Sequence, residues 1–321
     1  MKKSLQILLI VCIVVCFFIF LRATDVGAGF RLIKQLGFHS VFILLTTTLA
    51  GLAGASGWKL CIDSYARPSF MRLFMIRQTG NIITLFNPSG AIAGEVFNAR
   101  RLISEGVEEQ EAYKSVLLAR ALMISSQLVL FAIVLMQFLF SLSYFLMFLP
   151  IVSAVGLAFL LLRKGKETAG GPEKNRWHKL ISRAVEMRTL LAAHIRRHPK
   201  KTAGAFLLFS AQWISGSLEL FFILYFLNYP VSVCDSLFLD TLIIVLKSAA
   251  AFIPGQAGVE ELINKFALHL LGIPSPGLWV PVSILRRARQ LFWSGMAVLF
   301  YLQLKSGRKS IKDYGDLIRQ S

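Results

Sequence analysis

The sequence predicts an all-α, polytopic helical membrane protein with about eight membrane segments, interrupted or re-entrant half-helices and an internal two-fold repeat. The first observation is the composition. Among the 321 residues, 55% are apolar, 26 are Phe and only 16% are charged. Such a composition is typical of multi-spanning membrane proteins. The second is that Lys and Arg lie in the gaps between long apolar runs, as in cytoplasmic loops. The third is that Pro and Gly interrupt two of these runs next to Glu.

The charge and the cysteines exclude several classes of partner. A net charge of +18 could indicate nucleic-acid binding, but its distribution between apolar runs is that of a membrane protein, so no nucleic-acid partner is predicted. The four cysteines are scattered, without a CxxC pair or a His at ligand spacing, which argues against a disulfide framework or a zinc site. The five His form no ligand pattern either. We therefore expect neither a metal nor another cofactor.

The first membrane half is assigned to residues 1–162. Its first span, Leu5–Leu21, is too long for a typical signal-peptide core and lacks a clear cleavage site, so we expect it to remain uncleaved. In the second span, Phe38–Leu60, Gly54 and Gly57 each follow an Ala by four positions. This spacing of small residues predicts close packing against a neighbouring helix.

The rest of the first half combines full spans with one shorter helix. Residues 68–86 carry Arg72 and Arg77 at helical spacing in a largely apolar segment, which favours an interfacial or partly inserted helix over a full span. The third and fourth spans, Ser115–Phe140 and Leu142–Leu162, are expected to form a hairpin.

A basic connector, residues 163–201, separates the two halves. It contains twelve Lys or Arg against three Glu, which places it in the cytoplasm by the positive-inside rule. Its stretch Trp177–Ile195 is amphipathic and suits either an anionic membrane surface or a solvated linker. The basic tail, residues 305–321, is also assigned to the cytoplasm. We therefore expect a multi-pass protein of the bacterial cytoplasmic (inner) membrane with both termini in the cytoplasm.

The second membrane half is assigned to residues 202–304. Full spans are expected at Thr202–Leu227, Leu237–Phe252 and Leu278–Leu304, with a short or half-inserted segment at Val259–Leu271. The first two of these full spans contain the charged residues Glu219, Asp240 and Lys247. Asp240 and Lys247 share one helix face, but the sequence alone does not separate a functional role from a bracing role for these three residues.

The two interrupted runs share a pattern. Each contains a Pro, two Gly and a Glu, followed about one helical turn later by Asn and, 25 or 26 residues after the Glu, by Arg. The first copy is Pro88, Gly90, Gly94, Glu95, Asn98 and Arg120, and the second is Pro254, Gly255, Gly258, Glu260, Asn264 and Arg286. Interrupted apolar segments at corresponding positions of two halves indicate a transporter-like binding site.

The residue types in this pattern suit an anionic ligand. A Pro–Gly break stops a helix inside the membrane, and the next helix starts there with free N–H groups and a positive dipole end. Arginines add bidentate donors for phosphate, and the glutamates balance them when no substrate is bound. The same charges could act as intramembrane braces, but each costs at least ~2.5–3.5 kcal/mol at a helix centre, which favours a functional role. The candidate substrate-binding residues are Glu95, Asn98, Arg101, Arg120, Pro254, Gly255, Gly258, Glu260, Asn264, Arg286 and Arg287.

At these residues the sequence resembles the flippase-like integral membrane family, the transmembrane region of lysylphosphatidylglycerol synthase and its stand-alone relatives, including hopanoid-cluster members. The family signature Pro-Gly-Gly-x-Gly-x-x-Glu is matched by Pro254–Glu261, with Gln256 in place of the second Gly. The downstream Arg is matched by Arg286 or Arg287, and an upstream element is matched within Pro88–Arg101. The resemblance covers nearly the whole chain. The departures, which include a missing acidic partner near Gln127, bear on the substrate more than on the fold.

The resemblance implies a lipid translocator that moves an anionic phospholipid or a polyprenyl- or hopanoid-type lipid between leaflets. Because no soluble aminoacyltransferase domain follows the membrane part, we expect a transporter and not an enzyme. The alternative is a membrane component of a lipid-modifying or aminoacyl-lipid synthesis system, either an enzyme or a scaffold that recruits a lipid-biosynthesis enzyme. An enzyme would need a nucleophile, an acid–base pair or a metal site, and the sequence offers no His, Cys or Asp cluster for one.

Overall fold

The computed structural model describes residues 26–64, 68–86, 91–140, 192–229, 231–249, 259–270, 272 and 278–320. These residues form helices and contain no strand, which confirms the predicted all-α class. The predicted first and fourth spans, most of the basic connector and both Pro–Gly breaks lie outside the described residues. Three of the candidate site residues, Pro254, Gly255 and Gly258, therefore lie outside them as well.

Nine helices lie within the described residues. They are α1 (Val26–Leu36), α2 (Ser40–Leu60), α3 (Phe70–Phe86), α4 (Ala91–Ser104), α5 (Glu109–Phe140), α6 (Pro199–Phe226), α7 (Val233–Ala249), α8 (Val259–Leu270) and α9 (Trp279–Gln320). A single 3-10 turn, Gly37–His39, joins α1 to α2. Where a helix corresponds to a predicted segment, its boundaries lie close to those predicted, except that α5 begins six residues earlier and α9 continues beyond Leu304. Helix α1 lies between the first two predicted spans, where the sequence predicted a short loop. Pro199 starts α6, at a position where its missing N–H leaves no helical hydrogen bond unmade.

Three helical stretches of the described chain are long and apolar enough to cross a membrane. They are Phe30–Leu60, Glu109–Phe138 and Pro199–Phe226. Large apolar side chains on their outer faces are exposed, among them Leu45, Leu128 and Leu207. Outward-facing leucines of this kind suit contact with lipid hydrocarbon and not with water. The structure is therefore that of a multi-pass membrane protein.

Small residues bring α2 and α6 together, as their spacing predicted. A Cβ atom on Gly57 would lie 3.0 Å from the Phe209 ring, and one on Gly54 would lie 2.2 Å from Gln212 Oε1. Side chains at these positions would push the two helices apart, so glycine permits the close approach. The α2–α6 contact is the central one in the bundle because it joins the first half to the second.

The helix α3 lies inside the bundle and not at its surface. All residues from Leu73 to Gly80 are buried, including Arg77 and Gln78. This differs from the interfacial or partly inserted helix predicted from the charges in this segment. The physical reason is that the Arg77 guanidinium finds partners within the protein, so its charge does not require a place at the membrane surface.

The two halves repeat one order of helices. Each contains a long helix (α2 or α6), two shorter helices that pack on each other (α3 with α4, or α7 with α8), and a second long helix (α5 or α9). The shorter helices have 17, 14, 17 and 12 residues. They are thus at most about 26 Å long, less than the ~30 Å hydrocarbon thickness.

The contacts between the two halves also occur as equivalent pairs. Helix α9 packs on α3, and its counterpart α5 packs on α7. Two buried apolar clusters lie in the bundle, one around Leu73 and Phe209 and the other around Ile223 and Leu285, and each draws residues from both halves. This correspondence of order and partners supports the predicted internal repeat, and it places each Glu-bearing short helix beside an Arg-bearing long helix.

Candidate functional site

In the first half, the candidate residues Glu95 and Arg120 form an ion pair. Glu95 Oε1 on α4 lies 3.4 Å from Arg120 Nε on α5. The Arg120 side chain is 41% exposed and that of Glu95 is 25% exposed. The pair that the sequence spacing indicated therefore exists, and in this half it is accessible from outside the protein.

Glycines let α3 and α4 cross closely beside this pair. A Cβ atom on Gly94 would lie 2.4 Å from the carbonyl oxygen of Gly80, and a Cβ on Gly80 would lie 2.2 Å from Asn98 Oδ1. Both distances are far below ordinary van der Waals contact. The glycine before Glu95 thus has a packing role, because it fixes how deeply α4 sits against α3, and it positions Asn98 at the crossing.

Arg77 is a buried charged residue of this half that was not among the candidates. Its Nη2 donates to Gln212 Oε1 at 2.7 Å and approaches Met123 Sδ at 3.5 Å. Its guanidinium carbon lies 5.6 Å from the centre of the Phe209 ring. Gln212 is 135 residues away along the chain, so no local pattern could have revealed the contact.

A cavity of about 50 Å³ lies among these groups. Three charged side chains line it, Arg77, Arg120 and Glu95, together with Trp58 and Asn98. The lining comes from α2, α3, α4 and α5. The first-half polar residues therefore surround a space that a small polar group can enter.

In the second half, Arg286 lies at the centre of a buried polar network. Its NH2 donates to Asp240 Oδ1 on α7, and its NH1 approaches Asn264 Oδ1 on α8 at 3.5 Å. Ser217 on α6 donates to Asp240 Oδ2 at 3.0 Å, and Asn264 Nδ2 donates to Ser283 Oγ at 2.9 Å. The candidates Asn264 and Arg286 are therefore joined in one network, which contains Asp240 as a member that the sequence left undecided.

Glu260 is held in the same network by two donors and by a longer ionic contact with Arg286. Lys247 Nζ lies 3.0 Å from its Oε2, and Gln290 Nε2 donates to that oxygen at 3.0 Å. Arg286 Nε lies 3.9 Å from Oε1. The Glu260 side chain is only 1% exposed and that of Arg286 only 6%. The Glu–Arg pair of the second half thus exists like its counterpart in the first half, but it is sealed inside the protein.

Two further ion pairs flank this network. Arg287 NH2 lies 2.5 Å from Glu261 Oε1, and Arg289 Nε lies 2.7 Å from Glu219 Oε1. Carboxylates and cations thus occur in equal number in the second-half network. Its charged members are Glu219, Asp240, Lys247, Glu260, Glu261, Arg286, Arg287 and Arg289. Each buried charge is thus compensated by a partner. Removing one partner of a buried pair leaves an uncompensated charge and lowers the free energy of unfolding by about 3–5 kcal/mol.

The four residues expected to meet at one central site are divided between two places. Glu95 pairs with Arg120 beside the cavity, and Glu260 pairs with Arg286 in the second-half network. Helix α6 connects the two places, because its Gln212 accepts from the cavity-lining Arg77 and its Glu219 pairs with Arg289 in the network. Seven residues of helix correspond to about 10 Å along the axis, so the two polar regions are neighbours within the bundle.

Arg101, the remaining candidate, takes a different position. Its guanidinium carbon lies 6.0 Å from the centre of the Tyr301 ring on α9. The contact is a cation–π interaction at a half-buried place on α4. Arg101 thus links α4 to α9 and is not part of the ion pair formed by Glu95.

A polar cluster lies where α2 ends and α6 begins. This rim cluster consists of Asp63, which follows α2, and of His194, His198 and Lys201 near the start of α6. Asp63 lies 2.9 Å from Lys201 Nζ, 3.0 Å from His194 Nδ1 and 3.3 Å from His198 Nε2. From the first half, Glu111 accepts the Asp63 backbone N–H at 2.9 Å.

The rim cluster perturbs the pKa of two of its members. Burial alone would raise the pKa of Asp63, but the hydrogen bond from Lys201 and the nearby histidines outweigh burial and hold that pKa below its ordinary value of 3.8. Burial lowers the pKa of His194 below its ordinary value of 6.5, against the attraction of Asp63. In the folded protein Asp63 is therefore ionised and His194 is neutral near pH 7.

Fold and site together define a polytopic helical membrane protein with a Glu–Arg pair beside the break of each half. The family described as "Lysylphosphatidylglycerol synthase TM region" matches residues 5–298. The match covers most of the 321 residues, so the chain belongs to this family and the resemblance seen in the sequence is confirmed. The family indicates a membrane protein of lipid metabolism or lipid translocation. No curated protein and no solved structure matches the chain.

Proposed function

We propose that this protein is a lipid translocator, which moves the headgroup of an anionic phospholipid or a polyprenyl- or hopanoid-type lipid past its two Glu–Arg pairs. The lipid tails stay in the bilayer while the headgroup crosses within the bundle. The proposal makes the protein a transporter and not an enzyme. It also places the protein in a bacterial inner membrane, with the basic connector and both termini in the cytoplasm.

The observation that carries this proposal is the difference between the two equivalent Glu–Arg pairs. The Glu95–Arg120 pair borders a cavity and is accessible, whereas the Glu260–Arg286 pair is almost fully buried. A pure brace would need no cavity and would gain nothing from exposure of one copy. A translocator, in contrast, needs one polar region open while the other is closed.

The ion pairs suit a headgroup because they can be exchanged for it. An anionic group that enters beside Arg120 can replace Glu95 as the partner of the guanidinium, through charge-assisted hydrogen bonds of the same kind. In the closed region, Arg286 already has Asp240 and Glu260 as partners. A headgroup arriving there would compete with these carboxylates, which keeps every charge paired during passage.

Flipping of a labelled lipid in reconstituted vesicles tests the proposal. Purified protein is placed in liposomes that contain fluorescent phosphatidylglycerol, and dithionite then reduces the label in the outer leaflet only. Wild-type protein is expected to make the inner-leaflet label accessible. The double variant Glu260→Gln/Arg286→Ala is expected to leave that label protected, because it removes the pair from the closed region.

A matched control exists at an exposed ion pair of the same type. Arg72 and Glu105 lie 2.5 Å apart, and the Arg72 side chain is 40% exposed. The double variant Glu105→Gln/Arg72→Ala makes the same chemical change where a surface pair contributes ~1 kcal/mol or less. Its flipping is expected to equal that of wild type. Normal flipping by the buried-pair variant would remove the site assignment, and a wild type that flips no lipid would favour the enzyme or scaffold alternative.

A further inference from the structure

The geometry points to a binding site for a phosphate oxyanion in the first-half cavity, with Arg77 as its principal cationic ligand. This inference rests on the proposed function insofar as the oxyanion is taken to be the phosphate of a lipid headgroup. Neither the repeated Glu–Arg pattern nor the family signature includes Arg77, and it has no counterpart in the second-half motif.

Arg77 differs from the buried arginines of the second half in its partners. Arg286 and Arg287 each lie beside a carboxylate, Asp240 or Glu261. Within the described part of the chain, the polar contacts of the Arg77 guanidinium are neutral, the amide oxygen of Gln212 and a thioether sulfur. A buried guanidinium held only by neutral groups has a strong preference for an anion.

The nearest other charge at this place increases that preference. Arg120 lines the same cavity and repels the Arg77 charge, and Glu95 is the one carboxylate in the lining. The charged lining thus has two cations and one anion. A phosphodiester carries a single negative charge and would bring the sum to zero, whereas a cationic or neutral group would not.

Trp58 supplies an independent sign of a missing acceptor. Its side chain is 2% exposed and lines the cavity. Its indole Nε1, which can only donate, has no hydrogen-bond acceptor among the residues that the structure describes. A buried tryptophan N–H usually has a partner, and a small rotation of the indole toward an oxyanion in the cavity would provide one.

The size of the cavity fits the same ligand. At roughly 10–15 Å³ for each water-sized position, a volume of about 50 Å³ holds roughly three to five such positions. A tetrahedral phosphate group has four oxygens. A lipid phosphate can therefore enter this space while the rest of the lipid stays outside it.

Isothermal titration calorimetry on the purified full-length chain in a non-ionic detergent tests the inference. The probes are inorganic phosphate and the short-chain lipid dihexanoyl phosphatidylglycerol, with dihexanoyl glycerol as the probe that lacks phosphate. Arg77→Met is expected to weaken binding of the phosphate-bearing probes about 10- to 100-fold, the range for one charge-assisted hydrogen-bonded contact. Arg72→Met, at an exposed position on the same helix, is the matched control and is expected to bind like wild type.

Trp58→Phe keeps the aromatic packing and removes only the N–H, so it covers the case in which Arg77→Met does not fold. It is expected to weaken binding about 3- to 10-fold. Binding of the lipid probe but not of free phosphate supports the site and identifies a headgroup as its ligand, and binding of phosphate alone supports the site with a free anion as ligand. Wild-type protein that binds neither probe, or folded variants that all bind as tightly as wild type, would overturn the inference. If wild type flips lipid in the vesicle assay while binding is independent of Arg77 and Trp58, only this inference fails and the proposed function stands.

Discussion

Replacing Gly94 by alanine is the most direct test of how the first-half site is built. The new methyl group would lie 2.1 Å from Thr84 Oγ1 and 2.4 Å from the carbonyl oxygen of Gly80. Thr84 could rotate away only by giving up its hydrogen bond of 3.0 Å to that same carbonyl. The Gly80 carbonyl belongs to the backbone of α3, so it moves only if the helix moves.

The magnitude follows from the distances. To bring the methyl group from 2.4 Å to ordinary contact, α3 and α4 have to separate by about 1 Å. Forced overpacking of this kind costs about 1–3 kcal/mol. Alanine also has a higher helix propensity than glycine, by about 1 kcal/mol, and this gain would partly hide the cost.

Gly216→Ala is the control that isolates the packing cost. Gly216 lies within α6, and a Cβ atom there would have no heavy atom within 4 Å. Both variants share the gain in helix propensity, so the difference between them reports the overpacking alone. We expect Gly94→Ala to be about 1–3 kcal/mol less stable than Gly216→Ala.

Denaturation in detergent micelles, followed by tryptophan fluorescence, measures this difference. Flipping of labelled lipid should also fall in Gly94→Ala, because the separation moves Glu95 relative to Arg120. Equal stability of the two alanine variants would refute the argument that Gly94 sets the approach of α3 and α4. Normal flipping in a destabilised Gly94→Ala would refute its link to the site.

Two further predictions concern charge. Asp240→Asn should lower the free energy of unfolding by about 3–5 kcal/mol, because it leaves Arg286 buried without its nearest carboxylate. Arg72→Gln, at an exposed pair, should lower it by ~1 kcal/mol or less. Equal losses in denaturation curves would contradict the burial argument. Stability should also fall as the pH decreases from about 7 to 5, because the lowered pKa of His194 means that the unfolded chain takes up the proton first. His194→Gln should lack this fall, and the same fall in that variant would show that another group causes it. Asp63 has a lowered pKa, so its contribution is complete above its ordinary pKa of 3.8 and is lost only in more acidic solution.

The sequence pattern placed a Glu and, 25 or 26 residues later, an Arg in each repeat, and grouped all four in one binding site. The structure places the Glu and the Arg of each repeat on adjacent helices. The reason is that the spacing between these two residues equals a short helix, a turn and part of the next helix. Neighbouring helices in a chain with short connections pack on each other, so local spacing is sufficient.

The partners of the remaining charges could not be predicted. Asp240 accepts from Arg286 across 46 residues, and Arg77 donates to Gln212 across 135 residues. Charge in an apolar segment marked these residues as unusual, but it does not say which other helix will face them. For Arg77 the same signal favoured an interfacial helix, because a charge near lipid is usually satisfied at the surface.

The sequence by itself thus determined the class of protein, most of its helices, and the two interrupted runs with the Glu and Arg that recur in each. Composition and periodicity decide these features because the membrane requires apolar spans and internal backbone hydrogen bonds. Only the tertiary structure decided that α3 is buried, that one Glu–Arg pair is accessible while the other is sealed, and that Arg77 lies beside a cavity. These features depend on contacts between distant helices, above all the α2–α6 approach at Gly54 and Gly57. The spacing of small residues predicted that α2 packs closely on another helix, but it did not say which helix that is.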